Sequence, residues 1–161
     1  MEVNVKKIVI QDLRLDLVKG VAVQLPLAQP GYRETYFEWT PSSLTAPFQS
    51  TEVSGGVLRA WRHTPVFREI ETHVDAEMFY FVSGVALMLF VDVKDGQVDL
   101  DTAQIVRVQP GTQLVIEAGK GHFVAVAESE APVEMIVVSP KMDAPRMELA
   151  DVVEGILAAG Y

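Results

Sequence analysis

From Val57 to Val138 short runs rich in β-branched and aromatic residues alternate with turns. The turns are Thr64-Pro65, Ser83-Gly84, Lys94-Asp95-Gly96, Pro110-Gly111 and Ala118-Gly119-Lys120-Gly121. Runs of this length at this spacing are too short for packed helices and predict an all-β sandwich or barrel. Strands are expected at 57–63, 66–73, 77–82, 85–93, 103–108, 113–116, 122–127 and 133–138. Val85 to Val93 is apolar on both faces until Asp92, the pattern of a strand covered on both sides. Val66 to His73 alternates, which puts Phe67, Glu69, Glu71 and His73 on one face.

The flanks are less regular. Residues 3–10, 13–17 and 21–25 read as three N-terminal strands. Pro26 to Pro47 reads as a loop, broken by an aromatic knot at Tyr36-Phe37-Glu38-Trp39. That knot is either a strand covering one end of the core or a lid or partner surface. Beyond Pro145, residues Leu149, Val152, Val153, Ile156 and Leu157 fall at helical spacing, which predicts a short C-terminal helix over about 147–159 with Gly160 as its stop signal. Gly155 weakens that helix by about 1 kcal/mol relative to alanine. Neither a repeat nor a linker divides the chain. We expect one domain over 1–161, with a core barrel at about 57–139 and N-terminal strands and loop at 1–56.

Charge and composition narrow the partners. The net charge of −9 argues against nucleic acid, because phosphate binding needs basic patches. No apolar run approaches the roughly 20 residues that span a bilayer. There is no cysteine, so disulfides, zinc–thiolate sites and cysteine nucleophiles are excluded. A cytoplasmic location without membrane contact is the resulting expectation.

Chemistry concentrates in two segments. In the first, Glu71 and His73 are two apart on a strand, and Glu77 follows after a polar break. Two carboxylates and an imidazole thus meet the edge of a buried sheet, where unpaired charge is costly. A divalent metal or a hydrogen-bonded network would relieve that cost. The second segment runs from Gly111 through Glu117 and Gly119 to His122. Gly119 and Gly121 permit backbone conformations that side chains hinder, and His122 opens a strand with Val124 and Val126 on its face.

The spacings His73-x3-Glu77-x6-Gly84 and Gly111-x5-Glu117-x-Gly119-x2-His122 resemble the two motifs of the cupin superfamily, over roughly residues 65–126. The resemblance implies a double-stranded β-helix, a small jelly-roll barrel, with a divalent metal in its mouth. The implied metal ligands are Glu71, His73, Glu77 and His122. Four positions depart from the family pattern. Pro65 stands for the opening Gly, Glu71 for the first His, Glu117 for the Pro and Val126 for the final Asn. A site with two carboxylates and two neutral imidazoles suits Ni, Mn, Fe or Zn and balances a divalent charge. Cupins also commonly form dimers through their sheets, and the apolar outer face of Val85–Val93 is consistent with a homodimer.

A narrower resemblance is to ureidoglycolate lyases, cupin-fold enzymes that split ureidoglycolate into glyoxylate and urea. It is carried by Glu71-Thr72-His73, Val98 to Thr102, the turn into His122 and the strand Val133 to Val138. Thr72, Gly121 and Phe123 replace that family's Arg, Trp and second His. The resemblance implies an enzyme acting on a small anionic 2-hydroxy or 2-oxo acid. Glu69 or Glu117 would be its base. Lys120, Arg59 or Arg62 would be the cation for the substrate carboxylate, with Lys120 foremost. His63 and Tyr80 are expected to serve the surface and the packing. The rival expectations are a metal-dependent isomerase or oxygenase of a sugar or small acid, and a small-molecule-binding cupin without catalysis.

Overall fold

A computed structural model describes residues 4–159. In chain order the strands are β1 (Val5–Val9), β2 (Gln11–Asp12), β3 (Val21–Gln24), β4 (Tyr32–Arg33), β5 (Glu38–Trp39), β6 (Val53–Ala60), β7 (Val66–Glu71) and β8 (Glu77–Ser83). They continue as β9 (Ala86–Lys94), β10 (Gln97–Val108), β11 (Gln113–Ile116), β12 (Gly121–His122), β13 (Val126–Ala127), β14 (Val133–Pro140) and β15 (Arg146–Ile156). One sheet runs β1-β15-β7-β12-β9-β10-β2, with β13 also on β9. A second runs β3-β11-β8-β14-β6. The first sheet nearly closes on itself, because its two edge strands, β1 and β2, are separated in the chain by Ile10 alone. This all-β architecture agrees with a cupin jelly roll.

β9 shows why the layers form. Ala86, Met88 and Phe90 enter one core with Phe79, Phe81, Leu114, Ile116 and Met135 of the five-stranded sheet. Leu87, Leu89 and Val91 enter a second core with Phe67, Ile70, Ile105 and Val153. Fully burying side chains of this size contributes about 2 kcal/mol each, so a strand apolar on both faces is held on both. The face expected to serve a homodimer is therefore already covered within the chain. Asp95 and Gly96, both at positive φ, make the two-residue turn from β9 to β10 that the sequence signals.

The tail is the largest correction. Residues 147–159 hold no helix; Arg146–Ile156 is β15, parallel to β1 and antiparallel to β7. Its ladder shifts register between Glu148 and Val153, so Val152 and Val153 are both buried. That irregularity puts apolar residues at a spacing that mimics a helix. β15 supplies backbone partners along one edge of β1 and one edge of β7, which only a strand can do. Gly160 lies outside the described residues.

Leu13 to Leu17 is no strand but a turn, closed by the Leu17 N–H to the Arg14 carbonyl, with Asp16 at φ 59°. The aromatic knot does not cover the core: it joins Tyr32–Arg33 in a two-stranded ribbon, with Tyr36, Phe37 and Trp39 exposed. His122 to Ala127 is interrupted between β12 and β13, which turns Val124 outward. Among the described residues no helix is long and apolar enough to cross a membrane.

Candidate metal centre

The site lies where the two sheets meet at one end. Glu71 closes β7 and pairs across the ladder with His122 of β12, which pairs in turn with Phe90 of β9. Glu77 opens β8 in the other sheet, opposite Ile116. His73 lies between them, its carbonyl accepting the Gly119 N–H at 2.8 Å. The two segments forty residues apart in sequence thus meet in space.

Each imidazole is oriented by the main chain. His73 Nδ1–H donates to the Asp143 carbonyl at 3.3 Å, and His122 Nδ1–H donates to the Lys120 carbonyl at 3.1 Å. A carbonyl can only accept, so the proton of each neutral ring sits on Nδ1 and the Nε2 lone pair is left for the site. Both Nε2 atoms point at Glu77 Oε2, at 3.1 Å from His73 and 2.9 Å from His122. Glu71 Oε1 lies 3.9 Å from each. Phe79 packs edge-on against the His122 ring.

Two lone pairs facing carboxylate oxygens in a buried place repel unless a cation comes between. His73 Nε2 is buried and makes no hydrogen bond of acceptable geometry. Glu71, His73 and His122 each offer a ligand atom within 4.8 Å of the others; Glu77 is outside that group of three, although its Oε2 lies beside both Nε2 atoms. His122 Nε2 meets Glu77 Oε2 at hydrogen-bond distance, and imidazoles tied through Nδ1 to carbonyls with Nε2 turned into the site are the usual arrangement of metal-binding histidines. The donor set therefore fits a divalent metal.

In the metal-free protein the buried groups shift one another's titration. For His73, burial pulls the pKa down, but the Glu77 carboxylate, the Asp143 carbonyl and the Glu71 charge outweigh it and raise the value. Burial pushes Glu77 up, but the two imidazoles overcome it and hold the carboxyl at about 2. The signs differ. Glu77, depressed, stabilises the fold above its unfolded value of 4.5 and loses that contribution as pH falls towards about 2. His73, raised, stabilises fully below 6.5 and loses its contribution as pH climbs through its folded value. Chelator-treated protein is therefore expected to be most stable between these windows. It should lose on the order of 3 kcal/mol on acidification through the Glu77 window. Urea titrations from pH 2 to 8 check this; a flat profile below pH 4.5 contradicts it.

The other expected site residues lie elsewhere. Glu69 is in an exposed ion pair with Arg146 at 2.7 Å. Lys120 is buried and its ammonium lies 2.7 Å from Asp92. Glu117 is exposed, on the rim of a cavity of about 230 Å³ that Lys120 also lines. Arg59 pairs with Glu134, Arg62 with Glu130, and His63 bonds the Thr64 carbonyl. Tyr80 is partly exposed on the outer face rather than packed. Gly121, where the lyase family carries Trp, has no room for a side chain: a Cβ there would lie 2.8 Å from Val91 Cγ1 and 3.0 Å from Ile70 Cδ1.

Sequence reasoning missed what holds the site. The carbonyls of Asp143 and Lys120 leave no side-chain signature. Asp75 did leave one, an acid between His73 and Glu77. It is buried and accepts backbone N–H groups from Gln49, Ser50 and Ala76. The long loop is thereby tied beside the site, while Gln24 holds it at Ser43.

No protein-family model matches the chain, and no curated protein matches it. Solved structures of Bacillus subtilis oxalate decarboxylase are similar to it in fold. They include one concerned with that enzyme's Mn(II) centres and one with its proton-coupled electron transfer. In each the likeness covers 60% of this chain and 24% of that chain, at 19% identity and a TM-score of 0.43. The chain thus spans about a quarter of the length of the enzyme it resembles.

Proposed function

We propose that this chain is a metal-dependent enzyme acting on a small 2-hydroxy or 2-oxo acid, with Glu71, His73, Glu77 and His122 as its metal ligands. One observation carries the reading: two imidazoles locked by main-chain carbonyls turn their Nε2 atoms toward two carboxylates in a largely buried place, and His73 Nε2 has no hydrogen-bond partner there. A divalent metal bound there would supply a Lewis acid that polarises the substrate's carboxylate and neighbouring oxygen. The protein's part is to orient and to exclude water. His73, Glu77 and His122 are each no more than 9% exposed, and Glu71 is the most open of the four. A substrate therefore arrives past Glu71, and a small one is favoured. Exposed Glu117 makes no ion pair among the described residues, whereas Glu69 is held by Arg146, so Glu117 is the freer of the two to accept a proton. Ureidoglycolate is the first substrate to try, although Gly121 has no space for the lyase family's Trp.

The test is metal analysis followed by turnover. Purified protein is expected to hold about one equivalent of Mn, Fe, Ni or Zn. The loaded protein should release urea from ureidoglycolate, or consume another 2-hydroxy or 2-oxo acid. Stoichiometric metal without turnover across a panel of such acids supports a second reading, which the burial of three donors favours: a closed site that binds metal without catalysis. Absence of metal uptake at micromolar concentrations rejects both.

A further inference from the structure

We propose that Lys120 is a positioning residue of the metal centre: its ion pair with Asp92 holds the turn whose carbonyl fixes the His122 ring. The inference rests on the metal-centre reading above. Lys120 is 7% exposed, and its Nζ lies 2.7 Å from Asp92 Oδ1. An ammonium removed from water needs such a partner, so the pair dictates where this turn can lie. The anchor is itself held, because the Asp92 N–H donates to Thr102 Oγ1 at 2.8 Å. The Lys120 ammonium, by hydrogen bond and by charge, keeps the Asp92 carboxyl below its ordinary pKa despite partial burial.

The turn reaches both imidazole-bearing segments. The Lys120 carbonyl accepts the His122 Nδ1–H, and the Gly119 N–H donates to the His73 carbonyl. Lys120 stands between two glycines, Gly119 at φ +79° and Gly121 pressed against Val91. Glycine restrains its neighbours' peptide planes least of all residues. The direction of the Lys120 carbonyl is held by the Lys120 N–H to the Glu117 carbonyl, by the pairing of Gly121 with Val91, and by what the Lys120 side chain binds. A substrate cation needs a free ammonium. This one is engaged with Asp92, which favours the positioning role over the substrate-binding role expected from sequence.

The experiment compares wild type with Lys120→Met, Asp92→Asn, the double variant and Lys120→Arg. It reads affinity for Mn(II) and Zn(II), and the imidazole ¹⁵N–¹H pattern of His122 in metal-free protein. Lys120→Met and Asp92→Asn are each expected to weaken metal binding by about tenfold or more. The double variant should be no weaker than either, and Lys120→Arg should stay within about threefold of wild type. In metal-free Lys120→Met the slowly exchanging Nδ1 proton of His122 should be lost. Affinities within about twofold of wild type, with an unchanged His122 pattern, overturn the proposal. Should Lys120→Met not fold, Asp92→Asn and Lys120→Arg decide by the same readouts. Should wild type take up no metal, the metal-centre reading fails alone, and the His122 pattern in the metal-free variants decides the positioning role.

Discussion

His122→Ala is expected to empty the metal centre. The ring is 1% exposed and supplies one of the two Nε2 atoms within about hydrogen-bond distance of Glu77. Its removal deletes a donor that alanine cannot replace. A water entering the space would need polar partners beyond Glu77, and Phe79 lines one side. Metal affinity should fall by more than about 100-fold. The metal-free fold should also lose about 3 kcal/mol, because Glu77 keeps only His73 to offset its burial. Glu71→Ala should cost less, about tenfold in affinity, since Glu71 stands at 3.9 Å from both rings and is partly solvated. Metal content by mass spectrometry and urea unfolding of the chelated proteins measure both effects. Stoichiometric metal retained in His122→Ala would falsify the proposed ligand set.

Gly84→Ala is expected to destabilise the protein most among single-methyl additions. Gly84 has φ +73°, where an L side chain is strained. A Cβ there would also lie 2.4 Å from the Pro132 carbonyl oxygen, 2.9 Å from its carbon and 3.0 Å from Val133 Cα. All three are backbone atoms, so no rotamer change relieves the overlap. The start of β14 must move, and with it the ladder in which Glu134 faces Ser83. Strain and displacement together should cost about 4 kcal/mol. For a chain of this length that is a fall in Tm of about 10 °C. A fall under about 3 °C shows that the turn can give way. Gly96→Ala is the control, because its Cβ meets nothing within 4 Å. It bears the strain of φ +74° alone and should cost about 1 kcal/mol.

The contrast between these two glycines marks what is readable in a sequence. Both stand in recognisable turns, and both adopt positive φ as such turns require. Nothing local says that one faces open space and the other a backbone from β14. The tail makes the same point more sharply. Leu149, Val152, Val153 and Ile156 carry a spacing that suits a helix in isolation. They form a strand because β1 and β7 leave between them a gap that only a strand's hydrogen bonds fill. The aromatic knot at Tyr36–Trp39 reads either as a strand covering one end of the core or as a lid or partner surface, and it is exposed because the two short strands of its ribbon pair only with each other.

Local pattern alone determined most of the strands from Val57 to Val138, though not the break between β12 and β13 or the end of β7 at Glu71, together with the turns between them and the two segments that bring carboxylates and imidazoles together. Alternation and turn residues act over a few positions, so they survive whatever surrounds them. Only the tertiary structure decided which backbone carbonyls orient the two rings, that Lys120 is held by Asp92 and that Gly121 excludes a side chain. Those outcomes depend on atoms from strands distant in sequence coming within a few ångströms, and no local pattern encodes such a meeting.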